Sequence, residues 1–226
     1  MSIQTIIDKA QQIEFDRRRM VGQSISRSQR IKTAERSTSQ PWKFKVTPPA
    51  QLPWTANRGI IEVINLNDRV TEYQISLNNN PGLNYITGYL GALNNTQKAA
   101  LTISASSTSS FVITGLPTIG TTTPNTTTFV TSTTTILSKG DFIQPANSRY
   151  PYTVVSDVLR GTNTTTNVIL NRPIITSESI VLNGQQLLVG NSCTWRVIVA
   201  TMPTYSLISM QQVQFNGDFE LVEKVI

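Results

Sequence analysis

Carboxylates are the side chains of this sequence that could do acid–base chemistry, because its 226 residues include no histidine. Nine acids follow residue 45, and the eight that we consider as catalytic candidates are Asp68, Glu72, Asp141, Asp157, Glu178, Asp218, Glu220 and Glu223. Two of them, Asp141 and Asp218, directly follow a glycine, an arrangement typical of tight turns. A glycoside hydrolase needs two carboxylates facing one cleft, and these scattered acids form no such pattern. The sequence therefore predicts a protein that is not an enzyme.

Ligands for metals and cofactors are equally scarce. Cys193 is the single cysteine, so a site built of several thiolates is excluded. Its neighbours Thr194 and Trp195 favour a small residue of the apolar core. We find no glycine-rich phosphate-binding motif and no loop of alternating acids that would bind calcium. We predict no metal and no cofactor.

Positive charge is concentrated at one end of the chain. The formal net charge is +6, and residues 1–45 account for all of it with ten Lys and Arg against four acids. A basic segment beside a neutral body is typical of an interaction segment. The basic residues that we predict to contact partner chains are Arg17, Arg18, Arg19, Arg27, Arg30, Lys32 and Arg36.

Residue spacing predicts the elements that hold these side chains. Apolar residues recur at three- and four-residue intervals at Ile3, Ile6, Ile7, Ala10 and Ile13. This spacing predicts an amphipathic helix over residues 3–20. Residues 23–40 are polar without periodicity, which predicts an extended linker. Pro41 then opens a strand that places Trp42 on one face with Phe44 and Val46. We predict that Trp42 belongs to the interface set and anchors the arm where it joins the body.

The rest of the chain is typical of a mainly β protein. Short runs rich in Val, Ile, Thr and aromatic residues are separated by Gly, Asn and Pro at intervals of about ten residues. We predict an antiparallel β-barrel or sandwich over residues 41–226, preceded by a segment of helix and extended arm at 1–40. In the stretch 57–77, Ile60, Ile61 and Ile64 favour a short helix or turn, and Val70, Tyr73 and Ile75 favour a strand through Leu77. Asn78–Gly82 and Ser106–Ser109 favour turns, and the Thr-rich tract at about 114–135 favours a long exposed loop or hairpin.

Three interpretations of the basic arm follow from its composition. Its arginines suit bidentate pairing with carboxylates of a partner protein, and this is the interpretation we favour. They could also neutralise several nucleic-acid phosphates, although the arm offers no aromatic residue before Trp42 on which bases could stack. The arm could finally be a solvated linker. The apolar stripe of the predicted helix also needs a surface, either on its own body or on a neighbouring subunit.

Compartment is predicted from what the sequence lacks. It contains no apolar run long enough to span a membrane, and its first residues have no basic region followed by a signal-like apolar run. We therefore expect synthesis in a reducing cytoplasm and no membrane partner.

Several phrases of the sequence resemble one family. They are "SRSQRIKTAERSTSQPWKFKV" at 26–46, "NRGIIE", "LNYITGYLG", "LSKGDFIQPANSRYPYTVV" and the closing "FNGDFELVEKVI". Together they resemble the small structural tail proteins of contractile-tailed bacteriophages, which lie where the tail tube meets the baseplate hub. The Thr-rich tract departs from that pattern and resembles an insertion.

The resemblance implies β-barrel domains that form a ring in the virion, assembled in the host cytoplasm with other tube, hub and baseplate proteins. It implies no enzymatic role. The alternative from a different class is a carbohydrate-binding β-domain of a tail fibre, which would place several exposed Trp or Tyr side chains on one face. A nucleic-acid-binding protein that uses the basic arm is the other alternative.

Overall fold

A computed structural model describes residues 3–17, 21–25, 31–35, 41–121, 129–175 and 181–225, with 21–25 and 31–35 described by their backbone. Strands hold 37% of the described residues and helices 16%, so the predicted mainly β, antiparallel class is confirmed. The helices are α1 (Gln4–Lys9), α2 (Trp54–Asn65) and α3 (Asn95–Ala100), with short 3-10 turns at Asn84–Thr87 and Gly190–Ser192. The strands are β1 (Gln12–Asp16), β2 (Val21–Ile25), β3 (Ile31–Glu35), β4 (Lys43–Thr47), β5 (Leu52–Pro53), β6 (Tyr73–Ile75), β7 (Thr102–Ser106), β8 (Ser110–Thr114), β9 (Thr135–Leu137), β10 (Phe142–Pro145), β11 (Tyr152–Thr153), β12 (Val158–Leu159), β13 (Thr166–Ile169), β14 (Leu187–Val189), β15 (Trp195–Thr201), β16 (Thr204–Ile208), β17 (Gln212–Asn216) and β18 (Phe219–Glu223).

The two ends of the chain together build the largest sheet. Its strand order is β1-β4-β18-β15-β6, and every neighbouring pair is antiparallel. Helices α1 and α2 contribute apolar residues to the core that lies against this sheet. We call this cluster the first core; its main residues are Ile3, Ile6, Ile7, Trp42, Phe44, Val46, Ile60, Ile61, Ile75, Phe142, Trp195, Val197, Phe219 and Leu221.

A second unit is inserted between β6 and β15. It contains α3 and the small sheets β11-β10-β14, β12-β9 and β13-β8-β7. We call its cluster the second core; its main residues are Leu101, Ile103, Phe111, Ile113, Ile136, Leu137, Ile143, Tyr150, Tyr152, Val168 and Val189. The chain is thus a discontinuous first unit that encloses a continuous second one.

Strand β10 separates the two cores and contributes residues to both. All four of its residues are buried, and successive side chains of a strand point to opposite faces. Accordingly, Phe142 belongs to the first core and Ile143 to the second. Because both faces of β10 are occupied, the two units are packed against each other along it.

The predicted helix over residues 3–20 is wrong beyond its first half. Helix α1 ends at Lys9, and β1 then pairs with β4. The four apolar positions from Ile3 to Ala10 are buried as the helical spacing requires. Ile13 and Phe15, however, alternate with polar residues at Gln12, Glu14 and Asp16, and this alternation suits a strand when a partner strand is present.

The predicted boundary at residue 40 is corrected by the same pairing. Residues 3–16 belong to the first core and the five-stranded sheet, so they are part of the body. The predicted extended linker at 23–40 is corrected where it is described, since residues 23–25 and 31–35 belong to the antiparallel pair of β2 and β3, from Val21↔Glu35 to Ile25↔Ile31. Residues 26–30 and 36–40 of that prediction lie outside the described residues. Polar strands of this kind lack the apolar alternation by which strands are recognised.

Other local predictions are confirmed. In β4, Phe44 and Val46 are buried while Lys43 and Lys45 are exposed. A helix at Trp54–Asn65 precedes β6, and the turn at 106–110 joins β7 to β8. Of the Thr-rich tract, the described parts at 115–121 and 129–134 are mostly exposed, and Gly120 and Val130 are joined by a backbone hydrogen bond of 2.9 Å, as in a hairpin.

Candidate interaction site

The basic segment of the chain is a loop that connects two adjacent strands of the large sheet, β1 and β4. In the β1–β4 register, Asp16 lies opposite Lys43, so residues 17–42 connect two strands that are already paired. We call residues 17–42 the basic loop. Its ends are adjacent, and β2 and β3 form a second antiparallel pair nested within it. The basic segment is therefore a loop fixed at both ends, in contrast to the predicted N-terminal arm.

Arg17 fixes the outgoing end of the loop. Its guanidinium lies over the Trp42 ring, with Cζ 5.7 Å from the ring centroid. Its Nη1 also donates a hydrogen bond of 3.0 Å to Oγ1 of Thr153, in the second unit. Because a cation over an indole face is attracted to the ring, these contacts hold the start of the loop against both units.

Trp42 fixes the returning end of the loop from inside the first core. Only 1% of its surface is exposed, and its ring centroid lies 5.2 Å from that of Phe15, 5.6 Å from that of Phe142 and 6.1 Å from that of Trp195. Such edge-to-face and tilted contacts add to the apolar burial. Trp42 thus lies where an internal anchor must lie, and in this structure its side chain offers no surface to a partner chain.

A buried ion pair lies beneath Trp42. Arg172 Nη1 and Nη2 donate to the two carboxylate oxygens of Glu223 at 2.6 and 2.8 Å, and Nη2 also donates to the Pro151 carbonyl oxygen at 2.7 Å. The guanidinium lies between two rings, with Cζ 5.6 Å from the centroid of Trp42 and 5.3 Å from that of Tyr152. Glu223 also accepts a 3.1 Å hydrogen bond from the backbone N–H of Trp42. Arg172 is in the second unit, so this pair joins the two units at the root of the basic loop.

Sequence reasoning missed Arg172 and gave Glu223 no such role. One signal was available for Glu223, which shares strand parity with the apolar Phe219 and Leu221. Alternation places all three on one face, and an acid on an apolar face needs a cationic partner. Nothing in the local sequence indicates that the partner is Arg172.

The structure does not describe the side chains of the remaining predicted interface residues. Lys32 lies in β3, where the backbone alone is described. Five arginines lie outside the described residues; they are Arg18, Arg19, Arg27, Arg30 and Arg36. The structure therefore fixes the root of the basic loop, and the placement of most of its charges stays a prediction.

An open cleft of about 680 Å³ lies beside this root, on the solvent face of the sheet. Its charged lining residues are Glu14, Asp16, Arg17, Lys43, Lys45 and Glu220. Lys45 lies 3.3 Å from Asp218 and 3.7 Å from Glu14, and its hydrogen bond to Asp218 and the charge of Glu14 raise its pKa. Because three acids and three cations line the cleft, the sheet face carries little net charge of its own.

Two of the acids considered as catalytic candidates, Glu72 and Asp141, make contacts within the fold. Glu72 is surrounded by Arg149 at 3.1 Å, Lys224 at 3.5 Å and Arg196 at 3.8 Å. Asp141 is buried, and its carboxylate accepts hydrogen bonds from the N–H groups of Leu90 at 2.9 Å and Ser138 at 2.8 Å. Its own N–H donates to the Ser138 carbonyl at 3.0 Å, which closes the predicted turn.

Burial raises the pKa of Asp141 above its usual value of 3.8, against the lowering effect of its backbone N–H donors. Between pH 3.8 and the raised folded value, the native state holds more protons than the unfolded state, so stability falls as pH rises through that window. We expect the free energy of unfolding of the wild type, measured in urea relative to Asp141→Asn, to decrease as pH rises from 3.5 to 7.

The control for this titration is Glu62→Gln, which removes an exposed carboxyl group of α2. This variant keeps Asp141 and is expected to keep the wild-type pH dependence. An advantage of the wild type over Asp141→Asn that increases with pH would contradict the assignment.

Within the described residues, no group of three or more His, Cys, Asp or Glu could hold a metal ion. Cys193 is buried in the first core, and burial raises the pKa of its thiol. None of the helices described is both long and apolar enough to cross a membrane. Compared with known proteins, the chain matches no protein-family model and no curated protein.

Proposed function

We propose that this chain is a structural subunit of a contractile phage tail, part of a ring at the junction of tail tube and baseplate, and that it docks on neighbouring subunits through the basic loop. The observation that carries the proposal is the combination of charge and attachment. Between Arg18 and Pro41 the chain holds six basic residues and one acid, and both ends of that segment are fixed to the body at Arg17 and Trp42.

A loop fixed in this way suits docking on a protein surface. Both ends are held by the body, so binding restricts the chain less than it would restrict a tail that is free at one end. Arginine is well suited to desolvated pairing with carboxylates. The neutral body adds no repulsion between copies, because its nine basic and nine acidic residues after position 45 balance.

The phrases that carry the family resemblance fall mostly on elements of the framework. "KGDFIQP" covers the Asp141 turn and β10, and "GDFELVE" covers β18, the middle strand of the large sheet. These residues determine how the core packs. The resemblance therefore supports a shared fold and a shared position in the tail, and it does not support a shared catalytic activity. The protein acts, in this proposal, without catalysis.

Nucleic acid is a second candidate partner, because a two-stranded β-ribbon can enter the major groove of DNA and β2–β3 is such a pair. The fibre-domain alternative receives less support from the described residues. Trp42 and Trp195 are buried, Trp54 is half-buried, and Tyr85 and Phe129 are the aromatic residues counted as exposed there. These do not make the row of exposed rings that sugar binding favours.

Two variants of the basic loop test the proposal. The first, the short-turn variant, replaces residues 18–41 by Asn-Gly, a two-residue turn that joins antiparallel strands well. The second is Arg27→Gln/Arg30→Gln, with Arg58→Gln/Arg69→Gln as its matched control, because these two arginines are exposed on the body.

Purified tails of a phage that encodes this chain are expected to contain the wild type and the control by mass spectrometry, and to lack the short-turn variant. The double arginine variant is expected at a several-fold reduced level. Tails without the wild-type chain would refute the proposal. Binding to duplex DNA that weakens steeply with salt and disappears in the short-turn variant would favour nucleic acid instead.

A further inference from the structure

The β16–β17 hairpin has an unusual composition for an exposed element. From Thr201 to Gly217 the sequence contains no charged residue. The hairpin turn places Met210 and Gln211 at φ +65° and +58°, and the Met210 side chain is almost fully exposed. The hairpin therefore presents polar and apolar groups to solvent without any charge.

Strand β16 is an edge strand. The sheet order β16-β17-β5 leaves one side of β16 without a neighbouring strand among the described residues. Thr204, Ser206 and Leu207 are exposed along it. Leu207 pairs with Val213, yet 63% of Leu207 is exposed whereas Val213 is fully buried. An apolar side chain thus stands at the open edge.

The usual protections of an edge strand are missing from β16. Natural edges carry lysine, inward-pointing charges, proline or bulges that prevent pairing with another chain. Strand β16 has none of these from Thr204 to Ile208, and its pairing with β17 runs without a register shift. The edge strand β1 of the large sheet, by comparison, carries Glu14 and Asp16. An unprotected edge of five residues indicates a strand-pairing surface.

The basic loop contains a strand pair that needs such a surface. Strands β2 and β3 form a separate two-stranded sheet, with no third strand among the described residues. A two-stranded hairpin alone is marginally stable in water. Strand β2 is five residues long and uncharged, from Val21 to Ile25, whereas β3 carries Lys32 and Glu35. Its open edge matches β16 in length and in the absence of charge.

We propose that β2 of one copy pairs antiparallel with β16 of a second copy, with Gln23 opposite Ser206, so that the basic loop of each subunit extends a sheet of its neighbour. This proposal rests on the proposed function, since it names the surface on which the loop docks. Donor and acceptor are different surfaces, so the contact is head-to-tail and repeats around a ring when its rotation closes. The occupant is a second copy, because the chain's own β2 and β16 are in separate sheets.

Cysteine cross-linking tests the pairing in the full chain. Two variants, Gln23→Cys with an affinity tag and Ser206→Cys without one, are mixed and oxidised under mild conditions. Directly opposite residues of paired strands have Cβ atoms about 5 Å apart, so a disulfide joining tagged and untagged chains is expected in the mixture. Native Cys193 is buried and serves as the unreactive background in wild-type protein.

Each other outcome overturns the pairing. A disulfide between two Ser206→Cys chains would show a twofold contact between β16 edges. A disulfide within one chain that carries both Gln23→Cys and Ser206→Cys would show that the loop covers its own edge. No disulfide would show that the two strands do not meet. None of these results changes whether the chain is found in purified tails, so the failure of this pairing is distinguishable from the failure of the proposed function.

A charge placed on the edge provides a second measurement. Ser206→Lys puts a lysine on the edge strand β16, and Gln214→Lys puts the same residue at an exposed position of β17. Strand β17 pairs with β16 on one side and, at Gln212 and Val213, with β5 on the other. By sedimentation velocity we expect Ser206→Lys to weaken self-association at least tenfold and Gln214→Lys to leave it within twofold. Equal effects of the two substitutions would refute a role for the edge.

Discussion

Deletion of residues 1–11 is expected to unfold the protein. The short-turn variant lacks more than twice as many residues, yet we expect its melting temperature to lie within a few degrees of that of the full chain. The deletion removes Ile3, Ile6 and Ile7, which are fully buried in the first core. Truncating one buried isoleucine to alanine costs about 2–5 kcal/mol, and a domain of this kind has only about 5–15 kcal/mol in total.

The short-turn variant keeps the contacts that stabilise the root of the loop. Arg17 and Trp42 remain, and Asp16 still lies opposite Lys43. Circular dichroism during heating measures both variants against the full chain. A short-turn variant that is unfolded at 25 °C would show that the basic loop is part of the fold, and a folded deletion of residues 1–11 would contradict the place given to α1.

Arg172→Met is expected to lower the free energy of unfolding by about 3–5 kcal/mol, because it leaves the carboxylate of Glu223 buried without its cation. Both side chains are at most 4% exposed. The matched control is Arg196→Met, since Arg196 lies at the surface 3.8 Å from Glu72, where an ion pair contributes about 1 kcal/mol or less. Equilibrium unfolding in urea measures both.

The double variant Arg172→Met/Glu223→Leu separates the pair from its surroundings. Removing both charges abolishes the unpaired carboxylate, so part of the loss is expected to return. The recovery is incomplete because the N–H of Trp42 then loses its acceptor, at about 1–3 kcal/mol. A loss below about 1 kcal/mol for Arg172→Met alone would contradict the importance of this pair.

Parts of the fold that depend on neighbours in sequence could be predicted. The strand after Pro41 was recognised because apolar and basic residues alternate from Trp42 to Val46, and α2 was recognised because isoleucines recur at helical spacing. These patterns span only a few residues, and contacts with distant parts of the chain do not change the element that they indicate.

Parts that depend on distant partners could not be predicted. The segment from Gln12 to Asp16 fits either a helical stripe or a strand, and its pairing with β4 decides for the strand. Of the candidate site, charge and strand pattern indicated Arg17 and Trp42 as partner-contacting residues, and the structure describes their contacts within the chain. Arg172 was not indicated, because its contact with Glu223 spans 51 residues and no local rule connects the two.

The order of strands in the large sheet has a consequence for how the chain folds as it is synthesised. Strand β18 lies between β4 and β15 in that sheet, and its Glu223 bonds to Trp42 across 181 residues of sequence. The inserted unit leaves the ribosome before β18 does, so the second core can form first. Until β18 pairs with β4, the apolar residues of β4 and α1 stay exposed to solvent. Closing so long a loop is slow, and the bond from Arg172 to Glu223 cannot form until β18 enters the sheet. During that interval the incomplete sheet is open to neighbouring nascent chains, and this exposure ends only when β18 pairs with β4 and β15.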